Sequence, residues 1–77
     1  MINPTCVIDS TGNKLWYLHG QLHREDGPAV EYFNGINQWF LNGKQINCLK
    51  DFCKILKMSD FATNLFLKRW NFDEKIN

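Results

Sequence analysis

The stretch Val7-Ile8-Asp9-Ser10-Thr11-Gly12-Asn13-Lys14-Leu15-Trp16-Tyr17-Leu18-His19-Gly20 decides the fold, because it returns 23 residues later as Val30-Glu31-Tyr32-Phe33-Asn34-Gly35-Ile36-Asn37-Gln38-Trp39-Phe40-Leu41-Asn42-Gly43. Val7, Gly12, Trp16, Leu18 and Gly20 recur as Val30, Gly35, Trp39, Leu41 and Gly43. The matches fall on alternating large residues and on turn glycines. They describe a repeated β-hairpin unit and not a reused active site.

Working outward, the first copy predicts strands at Thr5 to Asp9 and Lys14 to Leu18, with Trp16 and Leu18 on one face and Leu15 and Tyr17 on the other. His19-Gly20 reverses the chain into a short extended piece, Gln21 to His23. The second copy predicts Ala29 to Phe33, Ile36 to Leu41 and Lys44 to Ile46. Both Asn-Gly pairs, Asn34-Gly35 and Asn42-Gly43, suit two-residue turns, which need positive φ. Between the copies, Arg24-Glu25-Asp26-Gly27-Pro28 has the composition of a turn, and His23 with Asp26 is expected to hydrogen-bond within it.

After Ile46 the apolar period changes from two to about 3.6. Asn47 is the expected N-cap of a helix with Leu49, Phe52, Cys53 and Leu56 on its apolar stripe and Lys50, Lys54 and Lys57 elsewhere. Ser59 or Asp60 caps a second helix bearing Phe61, Ala62, Leu65, Phe66, Leu67 and Trp70. The expected fold is α+β in a single domain: an antiparallel β-meander of two repeats over residues 1–46, capped by two C-terminal α-helices over 47–70, then a polar tail over 71–77 that frays. Apolar side chains of the second helix spread over about two-thirds of its circumference, wider than the ~100° that packs on a sheet. Some of Phe66, Leu67 and Trp70 are therefore expected to lie outside the core, as partial exposure on a small monomer or as the interface of a dimer or another partner.

Composition narrows the function. A chain of 77 residues buries only about 60% of its unfolded surface, so three Trp, six Phe and two Tyr must supply much of the core. Nine basic against eight acidic residues leave a net charge of +1, which removes the strong electrostatic case for nucleic acid or an anionic membrane. No apolar stretch approaches the ~20 residues of a membrane span, and no leader pattern opens the chain, so the expected location is the cytoplasm. Cys6, Cys48 and Cys53 suit reduced, mostly buried thiols.

The run Leu15-Trp16-Tyr17-Leu18-His19-Gly20-Gln21-Leu22-His23-Arg24-Glu25-Asp26-Gly27-Pro28-Ala29-Val30 resembles the MORN-like repeat of small bacteriophage and bacterial proteins. Those repeats carry a Trp-Tyr pair, an Asn-Gly-type turn, a His-Arg pair and an Asp-Gly-Pro-Ala turn in tandem. Trp39-Phe40-Leu41-Asn42-Gly43-Lys44 looks like the start of a second copy, which departs after Lys44 and is replaced by helix. The resemblance implies an interaction module, some of its relatives being antitoxin-like. It also implies a phage protein acting on a host component in the host cytoplasm.

Chemistry finds little foothold. His19-x3-His23 straddles a glycine turn, and Cys48-x4-Cys53 lies in an amphipathic helix, so neither has metal-ligand spacing. A Gly-rich phosphate loop, paired carboxylates in a helical frame, and a Ser or Cys beside a His are all missing from the sequence. The expectation is a non-enzymatic protein with no cofactor or metal that binds and inhibits a host protein, a defence or toxin component being one route. Its expected contacts are Tyr17, His19 and Arg24 on the repeat and Phe66, Leu67 and Trp70 on the second helix, residue types favoured at hot spots. Trp16 and Trp39 are expected to be structural. Two alternatives stand beside this: a structural homo-oligomer, and a nucleic-acid-binding regulator using Lys50, Lys54, Lys57 and Lys68-Arg69-Trp70. Asp51, Asp60, Asp73 and Glu74 dilute that basic surface and argue against the second.

Overall fold

The computed structural model describes residues 3–70. Among these residues an antiparallel sheet of six strands precedes two helices, the α+β meander expected from the repeat. The chain divides into two compact units between Asn47 and Cys48. The polar tail expected from Asn71 onward lies outside the described residues.

In the first unit β1 (Thr5–Ile8), β2 (Lys14–Leu18) and β3 (Gln21–Leu22) form one copy, and β4 (Val30–Glu31), β5 (Asn37–Leu41) and β6 (Lys44–Ile46) form the other. The copies agree in register as well as in sequence. Val7 opposite Leu15 becomes Val30 opposite Gln38, Tyr17 opposite Leu22 becomes Phe40 opposite Gln45, and Leu18 opposite Gln21 becomes Leu41 opposite Lys44. The copies join because β3 and β4 share one edge of β2, β3 along Tyr17 and Leu18 and β4 along Lys14 and Leu15. Trp16 stands at the changeover: its N–H donates to Ala29 O at 2.8 Å, and its carbonyl accepts the His23 N–H at 3.0 Å.

Opposed residues of a ladder share a face, so the register sorts the side chains. Trp16, Leu18, Trp39, Leu41 and Ile46 lie on the same face as Lys14, Glu31 and Lys44, and Trp39, Leu41 and Ile46 are buried. Thr5, Val7, Leu15, Tyr17, Leu22, Val30, Gln38, Phe40 and Gln45 lie on the other, which carries no charged side chain.

The turns repeat too, with one departure from expectation. His19-Gly20 (φ 52° and 75°) and Asn42-Gly43 (φ 52° and 82°) are two-residue turns with positive φ at both positions. Asn34-Gly35 is not. Phe33-Asn34-Gly35 makes a three-residue loop in which Tyr32 N–H donates to Ile36 O at 2.8 Å and Gly35 N–H donates to Tyr32 O at 2.9 Å. Only Gly35 has positive φ there, at 92°, while Asn34 Oδ1 accepts the Ile36 N–H at 3.1 Å. Ser10-Thr11-Gly12 has the same bonds, Asp9 N–H to Asn13 O and Gly12 N–H to Asp9 O, both 3.0 Å. These loops shorten the expected strands, so that Asp9, Tyr32 and Phe33 belong to turns.

Asp9 holds the first loop with its side chain. Oδ1 accepts the backbone N–H groups of Thr11, Gly12 and Asn13 at 2.9, 3.0 and 3.0 Å, and Oδ2 accepts Asn13 Nδ2 at 3.0 Å. The Asn13 side chain foremost, these donors hold the Asp9 carboxyl below the ordinary aspartate range. A carboxyl depressed on folding contributes stability that is complete above its unfolded value and is lost as pH falls through the folded one. The loop is therefore expected to loosen in acid, below about pH 4. Asp9→Asn should flatten that dependence in the amide shifts of Thr11 to Asn13 during a pH titration.

In the second unit α1 spans Leu49–Ile55 and α2 spans Asp60–Arg69. The N-cap of α1 is Cys48 and not Asn47, and no side chain caps it. Ser59 caps α2, its Oγ accepting the Ala62 N–H at 3.1 Å. Leu49, Phe52 and Cys53 of the expected α1 stripe are buried, and Leu56 is half-buried as the C-cap. Past it, Met58 N–H donates to Cys53 O at 3.1 Å and Lys57 N–H to Lys54 O at 3.0 Å, a Schellman closure that puts Lys57 at φ 59°. A lysine there is strained, so Lys57→Gly is expected to raise stability by about 0.5–1 kcal/mol, read from the urea midpoint.

Candidate interaction surface

Arg24 draws together the segment between the repeats. Its Cζ lies 3.9 Å from the Trp16 ring centroid. Nε donates to Asp26 Oδ1 at 2.9 Å, and Nη1 donates to Pro28 O at 3.2 Å and Glu31 Oε2 at 2.9 Å. The guanidinium thus spends its donors on the Arg24–Pro28 loop and β4, and its side chain is only 17% exposed. Two carboxylates and an aromatic face bind the cation within the chain. That arrangement holds the loop shut and leaves Arg24 little capacity for a foreign contact.

His23 beside it is buried and ties the two copies together. Its Nδ1 accepts the Asn42 backbone N–H at 2.9 Å, which leaves Nε2 to carry the proton that meets Glu25 Oε2 at 3.1 Å. His23 and Asp26 thus both bond within the loop, His23 to Glu25 and Asp26 to Arg24. At the repeat offset, His23 corresponds to Ile46 and Arg24 to Asn47. The second copy therefore lacks both side chains that lock the first to its successor, and the strand pattern stops there. His23→Ile supplies the residue the second copy uses while leaving the Asn42 N–H without its acceptor. The expected loss is about 1–2 kcal/mol, with faster exchange of the Asn42 amide.

The remaining expected contacts divide sharply. Tyr17 is exposed at 36% on the uncharged sheet face, and His19 is exposed at the tip of its turn. On α2, Phe66 is buried and stacks on Phe52 with ring centroids 5.7 Å apart, while Leu67 and Trp70 are half-buried. The outward apolar residues of α2 are Phe61, 74% exposed, and Leu65, 53% exposed. Helical phase accounts for this. With Phe66 at the centre of the inward arc, Ala62, Thr63 and Trp70 fall within about 60° of it, whereas Leu65 and Phe61 fall about 100° and 140° away. A wide apolar arc signals exposure but does not say which flank is exposed.

The thiols also part from expectation, since Cys6 and Cys48 are exposed and Cys53 alone is buried. Burial pushes the Cys53 thiol up, against a smaller opposing effect of its hydrogen bond with Thr63. Cys53 is thus kept as a thiol inside the helical unit. Among the described residues no three His, Cys, Asp or Glu side chains gather as metal ligands, and no helix is long and apolar enough to cross a membrane.

What remains as a surface is the uncharged sheet face. Tyr17 and Val7 are exposed, Leu15, Leu22, Gln38 and Phe40 are half-buried, and Val30 is buried at its centre. Tyr32 flanks it, its hydroxyl donating to Gln38 Oε1 at 3.0 Å. In an ordinary two-faced antiparallel sheet the solvated face carries the charges. Here Lys14, Glu31 and Lys44 stand on the face that buries Trp39, Leu41 and Ile46, and on the opposite face Val7 and Tyr17 are exposed beside half-buried Leu15, Leu22 and Phe40. No protein-family model, curated protein or solved structure matches this chain.

Proposed function

We propose that this chain is a small non-enzymatic binding protein of the MORN-like, phage-encoded kind that docks on a protein of the host cytoplasm and modulates it, most simply by inhibition. The observation that carries the reading is the uncharged sheet face, on which Tyr17, Leu22 and Phe40 stand among aliphatic and amide side chains. Such a surface gains most by covering apolar area with few charges to desolvate, which is the composition of an interface centre. Tyr17 supplies a rigid ring and a polar tip. Arg24, bonded to Asp26, Pro28 and Glu31, stabilises its own loop and is not among the proposed contacts.

The test is affinity capture from bacterial lysate with a photo-crosslinking phenylalanine analogue in place of Tyr17. One host protein should be recovered in stoichiometric amount and crosslinked at that position, and Tyr17→Glu should abolish its recovery while the circular dichroism stays unchanged. If gentle capture returns no stoichiometric protein, the reading fails. Retention that collapses between 50 and 200 mM salt, with nucleic acid in the eluate, would replace it by the regulator alternative.

A further inference from the structure

The repeat shows that the outer edge of β1 is a pairing edge. Strand β1 occupies in the first copy the place that β4 occupies in the second, and β4 has a strand on each side, β2 and β5. On the β2 side, the carbonyl of Ala29, the equivalent of Cys6, accepts the Trp16 N–H at 2.8 Å. The corresponding edge of β1 has no strand beyond it among the described residues. All four of its residues are exposed, Val7 at 46% and Ile8 at 62%.

The ladder phase says which groups face out. Asp9 N–H bonds to Asn13 O, so Thr5, Val7 and Asp9 turn their backbone groups toward β2, and Cys6 and Ile8 turn theirs outward. Pro4, next in that series, has no N–H to offer. Edge strands are ordinarily blunted by a charge, a bulge or an internal proline, and Thr5-Cys6-Val7-Ile8 has none of these. Three of the four side chains are β-branched, which suits cross-strand pairing.

We propose that β1 pairs with β1 of a second copy, antiparallel about a two-fold axis through Val7. In this register Cys6 and Ile8 of one copy exchange both backbone hydrogen bonds with Ile8 and Cys6 of the other. Every outward N–H and C=O of the strand is thereby used, and the two Val7 residues face each other as a non-hydrogen-bonded pair about 4.5 Å apart. No charged group within the strand opposes the match. A head-to-tail union of β1 with the β5–β6 end of another copy, the direct extension of the repeat, is disfavoured by the residues that would have to lock it. Ile46 and Asn47 stand there for His23 and Arg24, and Ile8 stands for Glu31. The contact is small beside the 1,200–2,000 Å² of a standard interface, so the pair forms in a concentration-dependent way.

This pairing uses the backbone edge of β1, and since Val7 also lies on the face assigned to the host protein while Ile8 lies on the other, Ile8→Pro tests the pairing apart from that face. Sedimentation equilibrium of the whole chain should show the mass rising from 9.1 kDa toward twice that value as concentration approaches the millimolar range. Val7→Lys sets two charges against each other across the axis, and Ile8→Pro removes an outward N–H without touching the β1–β2 ladder. Both should remain monomeric at every concentration while keeping the native circular dichroism. In a chain with Cys6→Ser and Cys48→Ser, Val7→Cys should give a disulfide-linked dimer under mild oxidation, because about 4.5 Å between Cα atoms lies within disulfide reach. A wild-type chain that stays monomeric throughout overturns the proposal, as does a Val7→Cys chain that fails to crosslink. Mass growing past the dimer points to head-to-tail joining and also overturns it. A monomeric wild type whose β1 amides are protected only by a host protein would assign the edge to a foreign strand instead.

Discussion

Trp39→Ala is expected to remove about 3–5 kcal/mol and leave the fold barely stable at room temperature, where Trp16→Ala, at the same place in the repeat, should cost distinctly less. Trp39 is 9% exposed on the face that also buries Leu41 and Ile46, so truncation opens a cavity among neighbours that a short sheet cannot close by relaxing. A chain of this length has stability near the low end of the usual 5–15 kcal/mol, and such a loss consumes most of it. Trp16 is half-buried, and one side of its ring is covered by the Arg24 guanidinium instead of by core. Its removal loses a cation–π contact and some apolar area, and water can fill part of the space. Urea unfolding followed by circular dichroism measures both. Equal losses would mean that the burial difference between the tryptophans has no energetic weight.

That asymmetry marks where the repeat ceased to be readable from residues alone. Identity at a fixed offset reveals that two units share a backbone plan, and the registers of β1–β2 and β4–β5 bear this out pair by pair. It does not reveal which unit is flanked by what. Asn34-Gly35 is ambiguous by itself, because the dipeptide suits both a turn with two positive φ values and a loop with only the glycine there. The offset partner of Asn34 is Thr11, whose branched β-carbon resists positive φ, and comparing the copies at that position would have separated the two. Arg24 is a hot-spot residue type, yet Asp26 and Glu31 lie close enough in sequence to claim it, and they do. On α2 the breadth of the apolar arc was legible, but its phase was not. The side chain that faces inward is set by the stacking of Phe66 on Phe52, a contact between two helices that neither helix encodes by itself.

The same contact makes Phe52→Ala the other large loss, expected at about 3–5 kcal/mol. Phe52 is fully buried, and its ring lies nearly parallel to that of Phe66, 10° apart with centroids at 5.7 Å. An offset stack of this kind contributes about 0.5–1.5 kcal/mol beyond the area it buries. Residue for residue the helices are short, seven in α1 and ten in α2, below the ~12–15 at which an isolated helix becomes even marginal in water. Their order therefore depends on side chains that bury, and Phe52 is the largest of the fully buried ones. Losing it should abolish the helical circular dichroism at 222 nm. Phe52→Leu, which keeps apolar bulk but not the stack, should fall between the wild type and Phe52→Ala. If Phe66→Ala alone costs as much as Phe52→Ala and the double variant costs no more than either, the two rings act as one unit. Additive losses would instead mean that each ring is held by separate neighbours, and the phase of α2 would then need another cause than the stack.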